Sequence, residues 1–164
     1  MELLTRLNAM LSRWAMYLAC VSLVMLLGIV IYGVVLRYAF NDAPAYVEQL
    51  ALLLVISVSM MGASAGVRDS GHIGLDSLVR ILPAKVQFWC HMAVQLLVLC
   101  FALTLCIGGF LMAQSTYAST IPTLGISEMV RYVPVLIAGV LISLFSVEQM
   151  VARSTQKDVI PSWH

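Results

Sequence analysis

Charged residues divide the chain into long apolar stretches. Residues 14–36 carry no charge, residues 49–67 carry none, and residues 86–127 carry none. A helix that crosses a bilayer needs about 20 predominantly apolar residues. The pattern therefore predicts transmembrane helices at about 14–36, 48–67, 87–112 and 131–151. Within the longest uncharged stretch the exit is set by polarity, at Gln114, Ser115 and Thr116. The fourth span is the tightest. Only 16 residues separate Arg131 from Glu148, roughly 24 Å at helical rise, against a hydrocarbon core about 30 Å thick. Arg131, Glu148 or both must therefore reach back to an interface or face protein rather than lipid. Pro134 falls in the first turn of this helix, where its missing N–H costs little. A membrane barrel requires alternating strands of about ten residues, and no such alternation occurs. The expected fold is an all-α integral membrane protein of four transmembrane helices in a single domain.

Between the second and third spans, Leu75, Leu78, Val79 and Leu82 recur at helical spacing, with Asp76, Ser77 and Arg80 on the other face. This predicts a short amphipathic helix over about 73–82 lying on the membrane surface, ended by Pro83. The plainer alternative is a solvated connector.

Composition strengthens the membrane reading. Hydrophobic residues make up 62% of the 164 and charged residues 10%, against roughly 25% charged in soluble domains. So few charges cannot cover so much apolar surface in water. The charges also set a direction. Arg6, Arg13, Arg68, Arg80, Lys85, Arg153 and Lys157 fall on one side of the membrane, whereas only Arg37 and Arg131 fall on the other. The excess of Lys and Arg marks the cytoplasm, so both termini are expected there. The apolar stretch after Arg13 is too long for a cleaved signal, and no small-x-small site follows it. Trp14, Trp89 and Tyr132 are expected interface anchors. No basic run points to nucleic acid.

Candidate chemistry is sparse. An ion carrier needs a polar or charged group within the membrane. Glu148 is the nearest candidate, and it sits close to the cytoplasmic end of its helix. Ser57, Ser59, Ser64, Thr104 and Ser143 are mild and can bond to their own helix carbonyls. Cys20, Cys90, Cys100 and Cys106 lie in apolar stretches without a Cys-x-x-Cys pair, so they read as small hydrophobes. His72 and His91 offer no facing in-membrane pair for haem. No cofactor, metal or catalytic residue is expected. Gly62 and Gly66 form a Gly-x-x-x-Gly pair. Such a pair serves either as a groove for a partner helix or in packing within the four-helix unit. Arg37 ends the first span and Glu48 opens the second. They either pair across the outer hairpin or act as separate interface anchors.

Arg37-Tyr38-x-Phe40-Asn41, then Pro44 and Glu48, resembles the first external loop of DctQ-type proteins. These are the small membrane subunits of tripartite ATP-independent periplasmic (TRAP) transporters. Gly62-Ala63-x-Ala65-x-x-Arg68 and then His72-Ile73-x-Leu75-Asp76 are similar to the family's second helix end and following turn. Leu124-Gly125-Ile126, Tyr132 and Pro134 look like its approach to the fourth helix. The resemblance covers nearly the whole chain. Departures are Tyr46 in place of a common tryptophan, Gln49 in place of a second glutamate, and Ser127 in place of a frequent proline.

The resemblance implies a scaffold subunit in the bacterial inner membrane. It would brace a large elevator-type subunit for sodium-coupled uptake of an organic acid delivered by a periplasmic binding protein. Its partners would be that large subunit, the binding protein and phospholipid. Arg37 and Glu48 would then hold the outer hairpin, and Arg68, Asp69, His72 and Asp76 would organise the cytoplasmic turn. The alternatives are a quinone- or haem-linked redox protein and a small multidrug exchanger. The first is weakened because no cysteine pair lies in an external loop. The second needs a titratable carboxylate in the membrane.

Overall fold

The computed structural model describes residues 2–69 and 83–154. The surface helix expected over 73–82, and with it His72 and Asp76, lies outside the described residues. Helix α1 spans Glu2–Ala39, α2 Ala45–Asp69, α3 Ala84–Ser115 and α4 Val133–Ser154. A one-and-a-half-turn 3-10 helix, Glu128–Tyr132, leads into α4. All four membrane helices are long and apolar enough to cross a bilayer. The third ends at Ser115, within the polar trio. The first is far longer than its apolar stretch. Its 38 residues rise about 57 Å, nearly twice the hydrocarbon thickness.

The hairpin between α1 and α2 is tight. The N–H groups of Phe40 and Asp42 both donate to the Leu36 carbonyl at 3.1 Å, and Asn41 takes a left-handed φ of 51°. Asn tolerates that region better than most residues, and it turns the chain out of α1. Between α3 and the 3-10 helix, Ile121 N–H donates to Ile126 O and Glu128 N–H to Ser119 O, both at 2.9 Å. Gly125 at φ 65° closes this turn.

The helices form a row rather than a closed bundle. α1 packs on α2, α2 on α4, and α4 on α3, while α1 touches α4 over a short region and α3 barely meets the first hairpin. The inner face of α1 runs Asn8, Ser12, Ala15, Ala19, Ser22, Leu26, Ile29, Gly33 and Leu36, all buried or half-buried. The steps alternate between four and three, a period of 3.5, which keeps one seam on the partner helix. Ala15 and Ala19 meet Met61 and Ala65 of α2 and Leu141 and Phe145 of α4 in the core, with Phe145 fully buried. Small side chains let the backbones approach where no hydrophobic effect drives them together.

The same logic closes α3 on α4. A Cβ added at Gly139 would lie 2.7 Å from Cys106 Sγ and 3.2 Å from the Ala102 carbonyl. A Cβ at Gly33 would lie 2.7 Å from Val47 Cγ1. Packing within the unit does not use Gly62 and Gly66, because a Cβ at either would meet nothing within 4 Å. Their face is open, as are the apolar flanks of α1 and α3, where Val24 and Leu97 are about 70% exposed. Lipid tails solvate such surfaces.

Candidate functional site

At the end of the row that carries both termini, all four helices contribute to one buried polar cluster. Arg68, in the last turn of α2, is its centre. Arg68 Nε donates to Glu148 Oε2 and Nη2 donates to Glu148 Oε1, both at 3.3 Å. This fork matches the planar carboxylate. Nη2 also donates to the Thr5 carbonyl of α1 at 3.3 Å, and Nη1 to Asp69 Oδ1 at 3.4 Å. Asn8 of α1 donates its amide N–H to Glu148 Oε2 at 2.8 Å. Ser12 Oγ donates to Asp69 Oδ2 at 3.3 Å. The side chain of Arg68 is fully shielded and that of Glu148 is 4% exposed. Neither charge is stable at such burial without the other.

A second chain of bonds runs through Gln149. Its Nε2 donates to the carbonyls of Val67 at 2.7 Å and Arg68 at 3.2 Å. These carbonyls stand in the last turn of α2, where helix geometry leaves C=O groups without partners. Gln95 of α3 in turn donates to Gln149 Oε1. α3 is thereby tied to α4, and α4 to α2 and α1.

The span arithmetic for α4 is resolved by both charges facing protein. Glu148 is neutralised by Arg68. Arg131, at the opposite end, donates from Nη2 to Gln49 Oε1 of α2 at 2.9 Å and from Nη1 to Glu128 Oε1 at 3.3 Å. Gln49 thus links α2 to the start of α4 at the end away from the polar cluster. Arg131 and Glu128 remain about 30% exposed, so this link is weak. Arg131→Ala is expected to lower stability by under about 1 kcal/mol. A thermal melt in mild detergent measures it.

Of the two readings of Arg37 and Glu48, the pair across the hairpin is not formed. Both are exposed on opposite flanks of a cleft between α1 and α2, with no ion-pair partner among the described residues. Arg68 and Asp69 do sit together, but Arg68 reaches across the row instead of organising only its own turn. Asn8, Ser12, Gln95 and Gln149 were not singled out by sequence reasoning. Their signal was present: Asn8 and Ser12 share the 3.5-residue seam with Ala15 and Ala19, and Gln95 is a lone amide deep in an uncharged stretch. Trp14 and Trp89 are strongly exposed at this same end. All four cysteines are free thiols.

The sequence pattern of the DctQ component of tripartite ATP-independent periplasmic transporters matches residues 26–156. This chain belongs to the DctQ family. A protein of Haemophilus influenzae named as a TRAP transporter small permease is 24% identical over 139 residues, covering 84% of this chain and 86% of the relative. The C4-dicarboxylate TRAP transporter small permease protein DctQ of Vibrio cholerae is 31% identical over 78 residues, 48% of this chain and 34% of the relative. The sialic acid TRAP transporter permease protein SiaT of Haemophilus influenzae is 37% identical over 71 residues, 43% of this chain and 12% of that longer protein. As a DctQ-family member the chain is a transport component and not an enzyme. It is a multi-pass bacterial inner-membrane protein that works in a complex with a large membrane subunit. Membership removes the redox and exchanger alternatives.

Proposed function

We propose that this DctQ-type chain is the stationary brace of its transporter, holding an elevator-type large subunit during sodium-coupled uptake of an organic acid. The observation that carries the proposal is the pinned row of helices. A subunit that moves substrate across the membrane needs a neighbour that does not move with it. Four helices side by side, tied at one end by Arg68, Glu148, Gln149, Asn8 and Gln95 and at the other by Arg131 and Gln49, form a broad plate. Both carboxylate oxygens of Glu148 already have partners in Arg68 and Asn8. The termini end faces the cytoplasm in this reading, which the distribution of Lys and Arg supports. A periplasmic binding protein delivers substrate to the other face, and phospholipid fills gaps along the apolar flanks. Relatives are named for C4-dicarboxylate and for sialic acid, which supports an acid as cargo and leaves recognition to the other subunits.

The test is uptake by liposomes holding the large subunit, with binding protein outside, in the presence and absence of this chain. Sodium-dependent uptake that requires the chain is the expected result. Full uptake by the large subunit alone would overturn the brace.

A further inference from the structure

We propose that the cleft between α1 and α2, at the end nearest their connecting loop, binds one phospholipid with a primary-amine head, of the phosphatidylethanolamine type. The cleft holds about 300 Å³. Part-way along it, Gly33 lets Val47 come against the α1 backbone. On either side of that contact the walls are apolar, from Val30 and Ala51 at the end away from the loop to Val34 and Pro44 towards it. Such a trough suits an acyl chain.

The mouth carries the selectivity. Arg37 stands in the last turn of α1 and Glu48 in the first turn of α2. Both line the cleft, and neither has an ion-pair partner among the described residues. A cation and an anion kept apart across one opening complement a head that carries both signs. The Arg37 guanidinium takes phosphate oxygens as a fork. Glu48 accepts hydrogen bonds from an ammonium, which offers three donors. A choline head offers no N–H donor. A glycerol head brings a net negative charge to a segment where Asp42 and Glu48 already outnumber Arg37. Tyr38, 83% exposed and lining the mouth, places the opening at the headgroup level where tyrosine is enriched.

The experiment places the full chain in nanodiscs of equal parts phosphatidylethanolamine, phosphatidylcholine and phosphatidylglycerol, and counts retained lipid by native mass spectrometry. One phosphatidylethanolamine per chain, preferred about fivefold over phosphatidylcholine, is expected of one interfacial ion pair. In Glu48→Gln that preference falls to about one while total retention stays. In Arg37→Gln retention of both zwitterionic lipids drops. Val34→Trp, which fills the trough, abolishes retention of all three. Equal retention of ethanolamine and choline lipids by the unaltered chain, a preference for the glycerol lipid, or an undiminished preference in Glu48→Gln would each overturn the proposal. The readout needs no transport, so its failure leaves the brace standing.

Discussion

Glu148→Ala is expected to destabilise the chain by about 3–5 kcal/mol, the range for breaking a buried ion pair by removing one partner. The size follows from what remains. Arg68, with its side chain fully shielded, would keep its charge and lose both carboxylate oxygens. Asn8 would lose its acceptor as well. Asp69 is too weak a substitute, at 3.4 Å and partly exposed. The measurement is a thermal melt in mild detergent with a readout of transporter assembly. Pairing the change with Arg68→Met and Glu148→Leu in one chain separates charge from shape. An apolar pair of similar volume is often neutral or stabilising where the single truncation is not. The double variant should therefore melt closer to the unaltered protein than Glu148→Ala does. If Glu148→Ala alone melts like the unaltered chain, the cluster does not hold the row together.

The second large effect is steric. Gly139→Leu is expected to cost at least about 1–3 kcal/mol, the usual range for overpacking, and to loosen α3 from α4. The added Cβ would lie 2.7 Å from Cys106 Sγ and 3.2 Å from a backbone carbonyl of Ala102, and the backbone cannot turn aside as a side chain can. Gly62→Leu is the control. Its Cβ meets nothing within 4 Å, so the isolated chain should melt within about 0.5 kcal/mol of the unaltered one, as for a surface change away from special features. Accessibility of the Cys106 thiol to a maleimide reports the loosening directly. A rise in labelling for Gly139→Leu but not for Gly62→Leu is expected. Equal melting and labelling of the two variants would refute the close α3–α4 contact.

Together the two predictions describe how a row of helices stays a row in lipid. Apolar side chains gain little by leaving lipid for each other, so cohesion rests on close backbone approach and on polar groups that have nowhere else to bond. Gly139 and Gly33 supply the first. Arg68 with Glu148, and Gln149 with Gln95, supply the second. The polar ties sit at the two ends of the row, and the middle is held by Ala15, Ala19, Ala65 and Phe145. Such a plate keeps its shape while leaving broad apolar faces for other membrane components.

Much of this was legible along the chain. Four uncharged stretches have only one economical explanation in a bilayer, because every backbone polar group must be satisfied within its own helix. The shortfall between Arg131 and Glu148 showed that these charges must reach an interface or face protein, since lipid offers neither a counter-ion. The ordered motifs from Arg37 to Pro134 pointed to the DctQ family. Which partner each charge finds was another matter. Arg68 and Glu148 are 80 positions apart, and Arg131 and Gln49 are 82 apart. Helical periodicity places a residue on a face, yet the facing helix depends on how α1, α2, α4 and α3 line up side by side. Arg37 and Glu48 show the converse. They are neighbours across a short loop, yet they line opposite flanks of the α1–α2 cleft and make no ion pair with each other. Lipid-facing and helix-facing positions carry the same apolar residues, so the open side of Gly62 and Gly66 appears only once the helices are packed.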